Sequence, residues 1–196
     1  MSANRIESFS DGVLAIVITI MVLSLHRPAG TGFSALRGAT PSLLAYALSF
    51  IYVAIYWNNH HHLLKTVTRV TGSLMWSNLN LLFWLSLFPF TTAWMSESHF
   101  AADPVASYGV VLACAALSYF TVQWVIVANQ RPDTGLRDAP GSDWKGRVSI
   151  ATYAIAIPLA LWLRWGSLML FGAVAVLWLI PDRRLEVYLA QRSDEG

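Results

Sequence analysis

An all-α, polytopic membrane protein with six transmembrane helices and both termini in the cytoplasm is the fold class this sequence predicts. Three observations lead there. The 196 residues are 56% apolar and only 12% charged, with a mean hydropathy of +0.51, which is too apolar for a soluble domain of this size. The apolar residues gather into six runs, each near the ~20 residues that a bilayer core requires. Lysine and arginine are shared unevenly between the two ends of those runs. A single domain spanning 1–196 accounts for the whole chain, with no internal repeat.

The first run extends from about Ile6 to Leu25. It is longer than a signal-peptide core, carries Asp11 and lacks a small-residue cleavage site before Pro28, so it reads as a retained helix. The second opens at Thr40-Pro41, a capping residue with proline at the first helical position, and covers 40–62. The third covers 73–94. The fourth begins at Asp103-Pro104, another cap and proline, and covers 104–128. The fifth, 144–163, carries Pro158, which marks a kink. Arg164-Trp165-Gly166 is a very short link to the sixth run, 167–180, so the last two helices form a tight antiparallel hairpin halted by Pro181. The stretch from Asp133 to Asp143 is a polar loop.

With the N-terminus inside, the cytoplasmic side holds Arg5, Lys65, Arg69, Arg131, Arg137, Lys145, Arg147, Arg183, Arg184 and Arg192. The outer side holds only Arg27, Arg37 and Arg164. That asymmetry orients the chain, read as a multi-pass membrane protein, with both termini on the cytoplasmic side. The nine tryptophans and seven tyrosines suit the two water interfaces of such a protein.

Several classes are disfavoured. A formal charge of +2 is too small for nucleic-acid binding, and one cysteine, Cys114, allows no intrachain disulfide. No phosphate-binding loop, nucleophile elbow or paired intramembrane carboxylates point to an enzyme or to a cofactor. No helix carries arginines at three-residue spacing, so a voltage sensor is not expected, and no Thr-Val-Gly-Tyr-Gly filter is present. His60-His61-His62 invites a metal, but consecutive helical residues splay to different faces, whereas a shared ion wants i and i+4.

The first helix carries most of the functional information. At about 100° per residue, Gly12, Ile16, Thr19, Ile20 and Leu23 share one face, apolar but for a single hydroxyl. An isolated stripe of this kind most often packs against a core or meets lipid. Asp11 lies off the stripe, near the cytoplasmic end. An ionisable residue inside a membrane helix is a functional-site hypothesis by default. Here a structural clamp is favoured over an ion ligand, because His60 and Asn80 occur at a matching depth on the second and third helices. A carboxylate, an imidazole and an amide at one level can satisfy one another.

Arg5-x-x-x-Phe9-Ser10-Asp11 at the head of the first helix resembles the signature of the lysosomal potassium-channel family (transmembrane protein one-seven-five), in its single-repeat bacterial branch. Trp57-Asn-Asn-His60-His61-His62-Leu63-Leu64 and Asn80-Leu-Leu-Phe-Trp84-Leu-Ser86-Leu-Phe-Pro89-Phe90 resemble the same family. The resemblance reaches from Arg5 to about Thr92, and the later helices match only in number and length. It implies a potassium-preferring cation leak channel, some members of which also pass protons. It also implies a homotetramer whose first helices line the pore. Carried over by position, Ile16 is the main constriction, Ile20 and Leu23 continue it, and Thr19 adds a hydroxyl layer. Arg5, Phe9, Ser10, Asp11, Trp57, His60 and Asn80 are then the network that holds the pore helix in place. The expected partners are the permeant ion K+, the lipid bilayer and further copies of the chain.

Two other classes compete. A proton-coupled secondary transporter would use Asp11 and His60 as a relay, and would predict an inverted repeat, which is not seen. A membrane-embedded metal or redox enzyme would build on the histidines, against their spacing.

Overall fold

A computed structural model describes residues 3–28, 30–67, 69–129 and 143–179. Among them are seven α-helices and no strand. They are α1 (Ala3–Leu23), α2 (Leu36–Lys65), α3 (Gly72–Ser86), α4 (Phe88–Glu97), α5 (Ala102–Asn129), α6 (Asp143–Ala160) and α7 (Arg164–Leu179), with a 3-10 turn at Phe33–Ala35 leading into α2. By length and hydropathy, three helical stretches alone reach the measure of a membrane span: Ala3–Leu23, Phe33–Lys65 and Ala102–Asn129. The apolar α7 is shorter. Of the basic residues used for orientation, Arg131, Arg137, Arg183, Arg184 and Arg192 lie outside the described residues, as do most of the loop ending at Asp143 and the stop at Pro181.

The expected third helix, 73–94, is two helices. α3 ends at Ser86 and is capped by Leu87, whose N–H bonds the Trp84 carbonyl at 3.2 Å, and α4 starts at Phe88 with proline in its first turn. Pro89 has no N–H to offer the Leu85 carbonyl four residues back, so a continuous ladder is not available there. The break turns Phe88, fully buried, into the centre of the bundle. Its ring meets those of Tyr52, Tyr56 and Tyr108 at centroid distances of 6.4, 6.5 and 5.9 Å.

Two other boundaries differ from the sequence expectation. α2 starts at Leu36, so Thr40-Pro41 sits inside it, and Thr40 bonds back to the Leu36 carbonyl at 3.3 Å instead of capping. A proline this close to the helix start removes one early hydrogen bond without ending the helix. Arg164-Trp165-Gly166 forms the first turn of α7, and the link is residues 161–163. The α6–α7 hairpin itself is present, tied by Ser167 Oγ donating to the Ala156 carbonyl at 2.8 Å and by Trp178 Nε1 donating to Ser149 Oγ at 2.9 Å.

α5 lies at the middle of the bundle and packs on α3, α4, α6 and α7. Glycines permit two of these approaches: a Cβ at Gly109 would stand 2.6 Å from the Phe171 ring of α7, and one at Gly146 of α6 would overlap the Phe120 ring of α5. Buried hydroxyls are paired across helices. Ser49 Oγ lies 2.7 Å from Thr92 Oγ1 and donates to Tyr108 at 3.1 Å, while Tyr52 donates to the Phe171 carbonyl at 2.7 Å. A bundle in lipid has no water to satisfy such groups, so this pairing is a condition of the fold.

α4 closes with the Phe100 N–H on the Met95 carbonyl at 2.8 Å, the six-to-one bond of a Schellman cap. The residues that turn the chain are His99 (φ 52°) and Phe100 (φ 59°), in the left-handed region where glycine is the unstrained choice. Phe100 is held there by burial against Trp165, at 5.4 Å between ring centroids. His99 is exposed, and its only side-chain bond is a long one to the Glu97 carbonyl. His99→Gly is therefore expected to raise the thermal midpoint, by up to about 1 kcal/mol of stability. Size-exclusion survival after heating measures this, and a lowered midpoint would show that the turn is not strained.

Candidate functional site

α1 has two opposite faces, and its sequence divides them. Ile6, Ser10, Leu14, Val17 and Met21 recur every three or four residues and are buried. They pack chiefly on α2, α3 and α4. The other side, with Gly12, Ile16, Thr19, Ile20 and Leu23, is uncovered. Ile16 is 60% exposed, Ile20 48% and Leu23 76%. The face grouping read from the sequence is thus what the chain presents: an apolar stripe along one helix, at the edge of the bundle. Thr19 is on the stripe, and its hydroxyl proton goes to the Ala15 carbonyl at 2.8 Å. The oxygen's remaining lone pairs are left to the open side.

Two polar ties near its N-terminal half hold the helix to the bundle, and a weaker contact from Thr92 Oγ1 to Met21 Sδ at 4.0 Å lies further along. The first tie is buried: Ser10, His60 and Asn78. Ser10 Oγ donates to the Ile6 carbonyl at 2.8 Å and accepts from Asn78 Nδ2 at 3.0 Å. Asn78 Oδ1 lies 2.7 Å from His60 Nε2, and an amide oxygen only accepts, so His60 carries a proton on Nε2. α1, α2 and α3 are joined at one level by three side chains. The second tie is more open. Trp57 Nε1 donates to Asp11 Oδ1 at 3.0 Å, and the Trp57 ring stacks on His61 with centroids 6.2 Å apart. His61 Nδ1 in turn meets Glu7 Oε1 at 2.5 Å.

This divides the network expected from the sequence. Ser10 and His60 are joined, and Asp11 and Trp57 are joined, but the two pairs are not one cluster. Asp11 does not bond His60. Asn80 belongs to neither tie. It lies two residues, about 200° of turn, from Asn78 and donates instead to Ser118 of α5 at 2.7 Å. Arg5 and Phe9 are exposed, and Arg5 has no ion-pair partner among the described residues. Asn78 and Glu7 are not singled out by the sequence, and His61 only as a member of the histidine run. Asn78 was findable: Leu74, Ser77, Asn78, Leu81, Leu82 and Leu85 form the buried side of α3 at three- and four-residue spacing, and Asn80 is off it. No local signal marks the meeting of Glu7 with His61, 54 positions apart.

The three histidines go to three different places: His60 to Asn78, His61 to Glu7, and His62 Nδ1 to the Asn58 carbonyl of its own helix at 2.7 Å. The described residues contain no group of three or more histidine, cysteine or acidic side chains placed to share an ion.

Comparison with known proteins places these features in a family. Residues 5–89, from the head of α1 into the first turn of α4, match the family described as the endosomal/lysosomal potassium channel TMEM175. The chain is 47% identical to a potassium channel of Chryseobacterium sp. (strain P1-3), over 97% of this chain and all of that protein. It is 33% identical to a potassium channel of Streptomyces collinus, over 84% of each. Its fold is similar to the crystal structure of a lysosomal potassium-selective channel TMEM175 homolog from Chamaesiphon minutus, with a TM-score of 0.76 and 25% identity over 91% of this chain and 96% of that one. The likeness therefore extends beyond the matched segment, through the last helices.

Proposed function

The chain belongs to the TMEM175 family of ion channels, and from that premise we propose that it is the subunit of a homotetrameric, potassium-preferring cation leak channel whose pore is lined by α1. Six membrane crossings, with α3 and α4 together as the third, and both termini in the cytoplasm complete this reading. The observation that carries it is the pair of faces on α1: one side bonded into the bundle and the other an uncovered stripe of Ile16, Thr19, Ile20 and Leu23. One such helix cannot enclose a path, whereas copies around an axis can. Four Ile16 side chains then form an apolar ring that stops ions by excluding water and opens by widening. Ile20 and Leu23 extend the ring outward by one and two turns.

Selectivity on this reading is modest. Carbon-lined walls offer no replacement for a lost hydration shell, and Thr19 supplies the one oxygen layer of the stripe. Because the Thr19 proton is committed to Ala15, the oxygen faces the path as an acceptor, the polarity that suits a cation. The reversal potential of the reconstituted protein, with potassium on one side and sodium on the other, tests the function. It should shift toward the potassium equilibrium potential with ohmic current. A reversal that follows only the proton gradient would favour a transporter or proton path. Thr19→Ala should move the reversal toward zero without abolishing current, and an unaltered value would clear Thr19 of a part in selectivity.

The relay alternative draws less support from the geometry. Asp11 is bonded to Trp57, while His60 is buried against Asn78 and faces a neutral amide. A proton-coupled pair would need those two groups in exchange with one another.

A further inference from the structure

Glu7 and His61 have no part in the buried tie, yet they make the one close ionisable contact between α1 and α2 among the described residues. His61 Nδ1 stands 2.5 Å from Glu7 Oε1, and the side chains keep 32% and 21% of their exposure, so protons from solution reach both. The Trp57 ring stacked on His61 is also the group that bonds Asp11, one turn further along α1. The imidazole thus touches the first helix twice, directly through Glu7 and indirectly through Trp57.

We propose that Glu7 and His61 form an ionisable latch on the pore helix, so that acid on the side of the α1 N-terminus holds α1 against α2 and lowers conduction. The proposal rests on the reading of α1 as the pore-lining helix. Histidine is the ordinary side chain whose charge changes between about pH 5 and 8, while carboxylates stay ionised over most of that interval. A neutral imidazole gives the Glu7 carboxylate a hydrogen bond assisted by the anion alone. A protonated one adds its own charge and turns the contact into an ion pair, which is stronger. The latch is therefore tighter in acid and looser as pH rises. α1 is unbroken from Ala3 to Leu23, so Glu7 and Ile16 ride on one rigid element, about 13 Å apart along its axis. Widening an apolar ring at Ile16 requires α1 to shift against its neighbours, and the latch opposes that shift.

His61 stands among few other charged or titratable groups. From α1 it faces Glu7 and, through Trp57, Asp11, with Arg5 two residues before Glu7 and about 200° around the helix from it. On α2 its neighbours are His60, enclosed with Asn78, His62, bonded to its own helix, and Lys65 in the last turn. The facing half of α3, Gly72 to Asn80, has no titratable side chain, and Arg69 lies in the connection before it.

The test is potassium current from the full chain in planar bilayers, with pH lowered from 7.5 to 5.5 on one side at a time. Acid on the side of the α1 N-terminus should reduce the current by about two- to fivefold, the scale of a half-exposed ion pair. His61→Gln keeps a hydrogen-bond donor but cannot titrate, and Glu7→Gln removes the anion. Each should flatten the response, and the double variant should flatten it no further. His62→Gln should leave it intact. A response that survives in His61→Gln or Glu7→Gln, that comes from the opposite side, or that increases current in acid overturns the latch. Potassium current indifferent to pH sinks the latch alone, whereas absence of any potassium current sinks the pore reading with it.

Discussion

Ile16→Asn is expected to raise the resting potassium conductance by about tenfold or more, with little loss of stability. Ile16 stands well out from its own subunit, so the fold does not depend on its burial there. On the proposed pore reading its effect falls instead on the ion path. A ring of four branched apolar side chains resists wetting, and each isoleucine prefers an apolar surrounding by about 1.5–3 kcal/mol. An amide at the same place offers water a donor and an acceptor. Lowering the barrier by only ~1.4 kcal/mol gives a tenfold change in rate, and in the proposed tetramer four substituted copies would act together. Bilayer recordings of the purified variant check this. The control lies one residue away: Val17 is buried on the opposite face, so Val17→Asn should impair folding and give no leak. An unchanged current in Ile16→Asn would remove that residue from the path, and a leak from Val17→Asn would reverse the assignment of the two faces.

That control also shows which part of the site is legible in sequence. The grouping of Ile16, Thr19, Ile20 and Leu23 on one face of α1 follows from 3.6-residue periodicity within a single helix, whereas periodicity alone does not say whether that face packs on a core, meets lipid or lines a path. Periodicity was silent on what the polar residues touch, because the partner of Ser10 lies 68 positions away and that of His61 54 positions away. Matching depth alone suggested Asn80 for the clamp. Depth fixes a level along the bundle, but the face of α3 decides between Asn80 and Asn78, and only the pattern of buried leucines beside them carries that information. The break at Leu87 was hidden for a related reason. The apolar run continues through it, and the proline that interrupts the hydrogen bonds belongs as well to a helix start as to a kink. Thr40-Pro41 misled in the opposite direction, since a cap-and-proline pair looks the same one turn inside a helix as at its head.

Asn78→Leu should be the most damaging single change in the candidate site, lowering stability by about 2–4 kcal/mol. Leucine is close in size, so the loss is chemical and not a cavity. Asn78 is the bridge of the buried tie, donating to Ser10 and standing opposite the His60 proton. Without it the His60 N–H has no acceptor, and Ser10 loses a donor, in a place shielded from water. Asp11→Ala should cost less, about 1 kcal/mol or below, because the bond it loses to Trp57 is exposed and water replaces it. The order is the reverse of what the prominence of a membrane carboxylate suggests. Detergent-solubilised protein heated stepwise and passed over a sizing column gives the midpoint of each variant. Reversal potentials of the surviving fraction should stay at the wild-type value for both, since neither residue lies on the open stripe. Asn78→Leu with a wild-type midpoint would show that the buried tie does not hold α1. An Asp11→Ala variant that keeps its fold but loses selectivity would move Asp11 from the α2 contact to the ion path, and the two-faced reading of α1 would fall with it.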